Sequence, residues 1–277
     1  MTKTQSTGHD PTVKPDRRAW VSLLMLTSLA LAHATVTGRL TAHYVNDSAS
    51  YLDYPFATLA EALLSIRTPA YPLLLRIVDS TLGILFVPLL QVLIHVFAAW
   101  LLHRELLQRR IATVAAWTAS ICVLLGCTFV DHVHTVSTDS IALSVAVISV
   151  VFLLKTTRCF RLKHLAATAG LAILAIAVRP AYLFLIPWLA LAGWFLPRID
   201  GSDVPYRQRL VTASVSLAVL AAVLGWMSLR WAVVGDFAIL PFGHQNLSGI
   251  SVQLLSTEEL RGLAKAESVD DAAVAKV

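Results

Sequence analysis

The stretch Leu82-Gly-Ile-Leu-Phe-Val-Pro-Leu-Leu-Gln-Val-Leu-Ile-His-Val-Phe-Ala-Ala-Trp-Leu-Leu102 contains no Asp, Glu, Lys or Arg. A helix of about 20 apolar residues is long enough to cross a hydrocarbon core of about 30 Å. Six further runs are mostly apolar, some of them short: Trp20 to Gly38, Ile111 to Val130, Ser140 to Leu154, Leu165 to Val178, Ala181 to Leu196 and Leu210 to Val234. The expected fold is all-α, a polytopic transmembrane helix bundle of about seven spans over residues 20–235, with a polar leader (1–19) and a tail (236–277). Composition agrees: 57% of the 277 residues are hydrophobic, 14% are charged, and the mean hydropathy is +0.70. Water-soluble domains carry about 25% charged residues.

The net charge is +5, but the basic residues do not form a nucleic-acid surface. They fall in short clusters between the apolar runs: Lys3, Lys14, Arg17 and Arg18; Arg104, Arg109 and Arg110; Lys155, Arg158, Arg161 and Lys163; Arg198, Arg207 and Arg209. If all seven runs are spans, all four clusters share one side, which the positive-inside rule makes the cytoplasm. The other side then holds the loop 39–69, the segment 131–139, the Arg179-Pro180 turn and the tail. Residues Trp20 to Ala34 also fit a signal peptide, with Ala32-His33-Ala34 as its cleavage site. Retention as a first span is the preferred reading, and cleavage leaves the later topology unchanged.

The loop 39–69 is long enough to suggest function. From Pro55 to Ile66 its periodicity predicts a helix lying in the membrane interface, with Phe56, Leu59, Leu63 and Ile66 on one face. Glu61 falls on the solvated face. Pro69 and Pro72 flank Tyr71 and start a further helix, and Asp79-Ser80 is a candidate interruption before the second span. Arg179 joins two short apolar runs without a polar spacer. A guanidinium at that depth either faces a wet cavity or an anion, or snorkels to the headgroups. In Asp131-His132-Val133-His134-Thr135-Val136-Ser137-Thr138-Asp139, two carboxylates and two imidazoles could bind a divalent metal, although loop histidines are more often solvated. The sequence requires no other cofactor. Cys122, Cys127 and Cys159 have neither disulfide nor metal spacing. The Asn46-Asp47-Ser48 and Asn246-Leu247-Ser248 tripeptides match the glycosylation pattern, which is read as chance at Asp47.

Four segments carry a resemblance. Asp47-Ser-Ala-Ser-Tyr51-Leu52 follows the first span, then comes Arg67-Thr-Pro-Ala-Tyr71-Pro72-Leu-Leu-Leu75. Ser137-Thr138-Asp139-Ser140 heads the fourth span, and Ala177-Val178-Arg179-Pro180 forms a later turn. In this order they resemble the C-type (GT-C) glycosyltransferases. The similarity is greatest to the family 39 type of dolichyl-phosphate-mannose-protein mannosyltransferases and to the lipid A aminoarabinose transferases. The resemblance implies inverting transfer of a sugar from a polyprenyl-phosphate donor to an acceptor hydroxyl, of unknown identity, outside the cytoplasm of a bacterial plasma membrane. Asp47 would act as the catalytic carboxylate and Arg179 and Arg67 as phosphate contacts. Asp139 or Asp131 would be a second acid on the acceptor side, and Tyr51, Tyr71 and Tyr182 would line the groove. The plainer roles are loop or helix capping for the acids, headgroup contact for Arg67 and interfacial anchoring for the tyrosines. Family members usually carry further spans or an outer domain, so an inert fragment of a longer transferase stays among the readings. So does a lipid carrier or transporter subunit.

Overall fold

The computed structural model describes residues 17–199 and 205–241. The leader to residue 16, residues 200–204, and the end of the tail from residue 242, with the second tripeptide, lie outside the described residues. In chain order the helices are α1 (Arg17–Val36), α2 (Ser48–Leu52), α3 (Leu59–Leu64), α4 (Ala70–Thr81), α5 (Val87–Gln108) and α6 (Thr113–Leu124). They continue with α7 (Cys127–His132), α8 (Asp139–Arg158), α9 (Leu162–Val178), α10 (Leu185–Ile199), α11 (Tyr206–Ala213) and α12 (Val215–Val234). Among the described residues there is no strand beyond an isolated bridge between His43 and Thr135.

Four helical stretches are long and apolar enough to cross a membrane: Ala19–Val36, Ile84–Gln108, Asp139–Arg158 and Tyr206–Val234. The other three expected spans are shorter helices, Thr113–Leu124, Leu162–Val178 and Pro180–Leu196. The cause of one interruption is local. Arg179 precedes a proline, which disfavours the helical conformation. It adopts φ −145° and ψ 108° and ends α9.

The helix expected from Pro55 to Ile66 is only the six residues of α3. Thr58 is extended and its Oγ1 accepts the Glu61 N–H at 3.2 Å, so this cap begins the helix after Pro55 and Phe56. Glu61 is exposed, as its polar face suggests. Helix α4 starts after Pro69 and runs through Asp79-Ser80 without interruption. The break falls instead at Gly83, whose φ of +90° suits glycine. Asp79 Oδ1 accepts the Ile84 N–H beyond it at 3.1 Å.

Helix α8 is the most buried of the four long stretches and lies at the centre of the bundle. Lipid chains are as apolar as leucine, so helices in a membrane associate through close packing and hydrogen bonds. Helix α8 supplies both. Ser140, Ala142, Ser144, Ala146 and Ser149 are buried, and Ser149 Oγ donates to the Thr168 carbonyl of α9 at 2.9 Å. His95 of α5 meets Ser144 Oγ and the Val123 carbonyl, each at 2.9 Å, and Gln91 Nε2 donates to the Thr135 carbonyl at 2.9 Å. On α1, Leu26, Ala30 and Ala34 are fully buried and pack with Val92, Val96 and Ala99 of α5, while Trp20, Leu24 and Met25 stay exposed.

Charge divides along α8, whose 20 residues span about 30 Å. At its C-terminal end Arg158 grips the buried Glu105 through Nε (2.9 Å) and Nη2 (3.1 Å), and Arg109 approaches the same carboxylate at 3.6 Å. We call this the basic end. Among the described residues every other carboxylate, from Asp47 to Asp236, belongs to segments outside these contacts. The segments that carry Asp47, Asp131 and Asp139 meet at the N-terminus of α8, the acidic end.

At Gly193 helix α10 approaches α11 closely: a Cβ there would lie 2.9 Å from the Thr212 carbonyl carbon and oxygen. Gly193→Ala should therefore destabilise the protein by about 1–3 kcal/mol. Gly225→Ala, with nothing within 4 Å of its Cβ, should be neutral or slightly stabilising. Thermal melting of the two variants in detergent checks this; equal melting temperatures would refute the close approach.

Candidate functional site

The acidic end is assembled by backbone pairing between two loops. The His43 N–H donates to the His134 carbonyl at 2.8 Å, and the Val136 N–H donates back to His43 at 3.0 Å. Ser48 Oγ donates to the Val136 carbonyl at 2.9 Å and accepts the Val45 N–H at 2.9 Å. Arg39 adds a hydrogen bond to the Val130 carbonyl and lies 3.8 Å from Asp131. These contacts hold the first long loop, and with it α2, against the head of α8.

A continuous chain of polar contacts then crosses the site. Asp47 Oδ1 lies 2.7 Å from Arg67 Nη2, and Arg67 Nε donates to Ser50 Oγ at 2.8 Å. The Arg67 guanidinium stacks on the Tyr51 ring, 4.5 Å from its centroid, which favours a cation over the ring face. The Tyr51 hydroxyl is 3.5 Å from Thr138 Oγ1. Thr138 accepts from Arg179 Nη1 at 3.2 Å, and the same nitrogen lies 2.7 Å from Asp139 Oδ2. The Tyr71 ring meets Tyr51 edge-on at 5.2 Å. Tyr71 is fully buried, and its hydroxyl makes no hydrogen bond of normal geometry. Burial pushes its pKa up, with Tyr51 and Asp139 adding to the rise and the nearby Ser137 backbone N–H opposing it.

Six of the residues singled out from the sequence therefore share one network: Asp47, Tyr51, Arg67, Tyr71, Asp139 and Arg179. Asp47 and Arg179 do not touch; each is neutralised by another partner, and Tyr51 and Thr138 lie between them. Tyr182 adjoins the network by donating its backbone N–H to the Arg179 carbonyl at 3.0 Å, with its ring 5.5 Å from that of Phe184. Asp131 is set apart with Arg39, and the His134 ring faces His43 at 5.5 Å. Among the described residues no three His, Cys, Asp or Glu side chains gather as a metal site requires, His132 and His134 included. Cys122, Cys127 and Cys159 are free thiols.

Sequence reasoning missed Arg230. It lies in α12 yet is 1% exposed. Nη2 binds Asp236 Oδ2 at 2.6 Å and Nη1 donates to the Leu63 carbonyl at the end of α3, while Nε has no partner. This arginine ties the last long helix to the first long loop. Its field opposes the upward push that burial exerts on the Tyr54 pKa. The signal was a lone charge inside a run read as an apolar span, and such charges usually face the bundle interior.

Two hollows flank the network. One, about 250 Å³ and almost wholly apolar, is lined by Thr68 and Pro69, by Ile173, Ile176 and Ala177 of α9, and by Ala222, Val223 and Trp226 of α12, with Ile239. The other, about 360 Å³, is bounded by Tyr51, Tyr54, Phe56, Arg76 and Asp79. No protein-family model matches the chain, and neither the curated proteins nor the solved structures include a match.

Burial lowers the pKa of His134 from 6.5, reinforced by Arg39, His43 and His132 and opposed by Asp131. The folded loop thus resists protonation at a pH where the unfolded chain accepts it. His134 stabilises the fold above about pH 6.5, and that contribution is lost as pH falls toward its lowered folded value. The melting temperature should drop between about pH 6.5 and pH 5, and less steeply in His134→Asn; parallel curves for the two proteins would exclude this assignment.

Proposed function

We propose that the acidic end is the active site of an inverting glycosyltransferase that takes its sugar from a polyprenyl-phosphate donor. The observation that carries this reading is the unbroken network joining the Asp47–Arg67 and Asp139–Arg179 pairs through Tyr51 and Thr138, beside an apolar crevice. A polyprenyl phosphate joins a long apolar chain to an anion. The crevice contains Ala177, two residues from Arg179, and Thr68, next to Arg67. A chain lying there would bring its phosphate to two guanidiniums, whose planar forks suit phosphate oxygens. The incoming phosphate competes with Asp139 for Arg179.

The chemistry is a single displacement. The acceptor oxygen attacks the anomeric carbon from the face opposite the phosphate, and the bond from that carbon to the phosphate oxygen breaks. Asp47, exposed on the side of the network away from Arg179, takes the acceptor proton. The Arg179 guanidinium balances the charge that develops on the departing polyprenyl phosphate.

The reading also includes seven membrane crossings, with the basic end in the cytoplasm and the acidic end outside. The short helices α6, α9 and α10 complete the crossings begun by the four long ones, and the first-loop helix α3 lies along the interface. In support, residues 39–69, 131–139, 179 and 230–236 are linked by contacts at one end of α8, while Glu105, Arg109 and Arg158 join at the other. The acceptor, whether protein, lipid or glycan, would approach from outside.

The test uses purified protein with a radiolabelled polyprenyl-phosphate sugar. Wild type should bind donor and turn it over. Asp47→Asn should keep binding and lose turnover by about 10²–10⁴-fold, the usual contribution of a positioned acid–base group. Arg179→Gln should weaken donor binding itself. Donor binding without turnover in wild type would replace the transferase by a lipid carrier; no donor binding would end both readings.

A further inference from the structure

A second hollow of about 690 Å³ lies at the basic end, far from the network just described. It is a wedge between α1 and the junction of α5 with α6. Its walls mix apolar groups, among them Val21, Met25 and Trp117, with Ser22, His103, Arg104, Gln108 and Thr113. The volume falls within the roughly 300–1,000 Å³ of small-molecule sites.

Three features point to an anion with an apolar tail. First, Arg104 is uncompensated. Its guanidinium stacks over the Trp100 ring at 5.0 Å, and no carboxylate pairs with it among the described residues. Glu105, beside it in the chain, is buried and held by Arg109 and Arg158. Second, His103 is 2% exposed, packs against Trp117 at 4.3 Å, and leaves its Nδ1 without a hydrogen-bond partner, an acceptor that a headgroup hydroxyl can satisfy. Third, Val21 and Met25 are more than half exposed where α1 borders the wedge. The surroundings strengthen the attraction, because Arg109, Arg158 and Lys155 share the single carboxylate of Glu105 and leave an excess of positive charge beside Arg104. Basic pockets between membrane helices on the cytoplasmic side suit anionic headgroups.

We propose that this wedge is a binding site for an anionic phospholipid, with the phosphate on Arg104 and one acyl chain along Val21 and Met25. The lipid would brace α1 against the bundle. That brace is useful because α1 has few buried residues and is held at this end by the Trp100 Nε1 hydrogen bond to the Ala19 carbonyl at 2.9 Å. The site is independent of the transferase reading.

Native mass spectrometry of the full chain in detergent tests it, with phosphatidylglycerol, phosphatidylcholine or inorganic phosphate added. Phosphatidylglycerol should bind more tightly than phosphatidylcholine. Arg104→Gln should weaken phosphatidylglycerol binding about fivefold, the effect of one basic side chain near an anionic lipid. Arg104→Lys should retain most of it, which separates charge from folding. Equal binding of the two lipids, or an Arg104→Gln protein that binds like wild type, would overturn the proposal. Displacement of phosphatidylglycerol by millimolar inorganic phosphate would instead assign the site to a free anion and overturn the lipid assignment.

Discussion

The Arg179 guanidinium, shared between Thr138 and Asp139, is the contact on which the acidic end depends. Arg179 can reach the head of α8 because proline follows it: the extended pre-proline backbone ends α9 and turns the side chain's root away from the helix. The same contact gives the guanidinium both a hydroxyl and a carboxylate partner. Thr138 then passes the connection to Tyr51, and Tyr51 to Arg67 and Asp47. Asp47 and Arg179, more than 130 positions apart in the chain, are thereby joined through three side chains, Arg67, Tyr51 and Thr138.

Around this contact the bundle is held by small residues and buried polar pins rather than by a large apolar core. Ser144 and Ser149 let α5 and α9 approach α8 closely, and His95 and Gln91 join α5 to its neighbours. Each end is closed by a buried ion pair. At the basic end Glu105 is gripped by two arginines, and at the acidic end Arg230 is gripped by Asp236 and the Leu63 carbonyl. Buried pairs of this kind contribute little net stability but are costly to break, because one partner is left charged and alone. Their value here is register: each fixes one long helix relative to a loop or helix distant in sequence.

Much of this was legible in the residues. Hydropathy alone pointed to an all-helical chain, and four of its helical stretches are long and apolar enough to cross a membrane. Arg179 stood out as a charge between two apolar runs, and Asp47, Arg67 and Asp139 through the resemblance; the structure brings all four into one network. The pairing was not legible. Nothing in one dimension says that Asp47 faces Arg67 while Arg179 takes Asp139, because both choices leave each charge compensated. Helix ends were also misread where one side chain decides them. The Thr58 hydroxyl starts α3 four residues later than the periodicity of 55–66 suggests, and Gly83, not Asp79-Ser80, breaks the path into α5. Arg230 was hidden because its neighbours are apolar enough to carry it in any window average.

The most direct test of the account is a double-mutant cycle at the Asp139–Arg179 pair, with thermal stability of the purified full chain measured for Asp139→Asn, Arg179→Gln and the double variant. Residues in one hydrogen-bonded charge network couple by about 0.5–3 kcal/mol. The account predicts a coupling of that size, with the double variant less damaged than the two single losses added together. Strict additivity would contradict it, because the guanidinium would then not hold the loop segments to the head of α8.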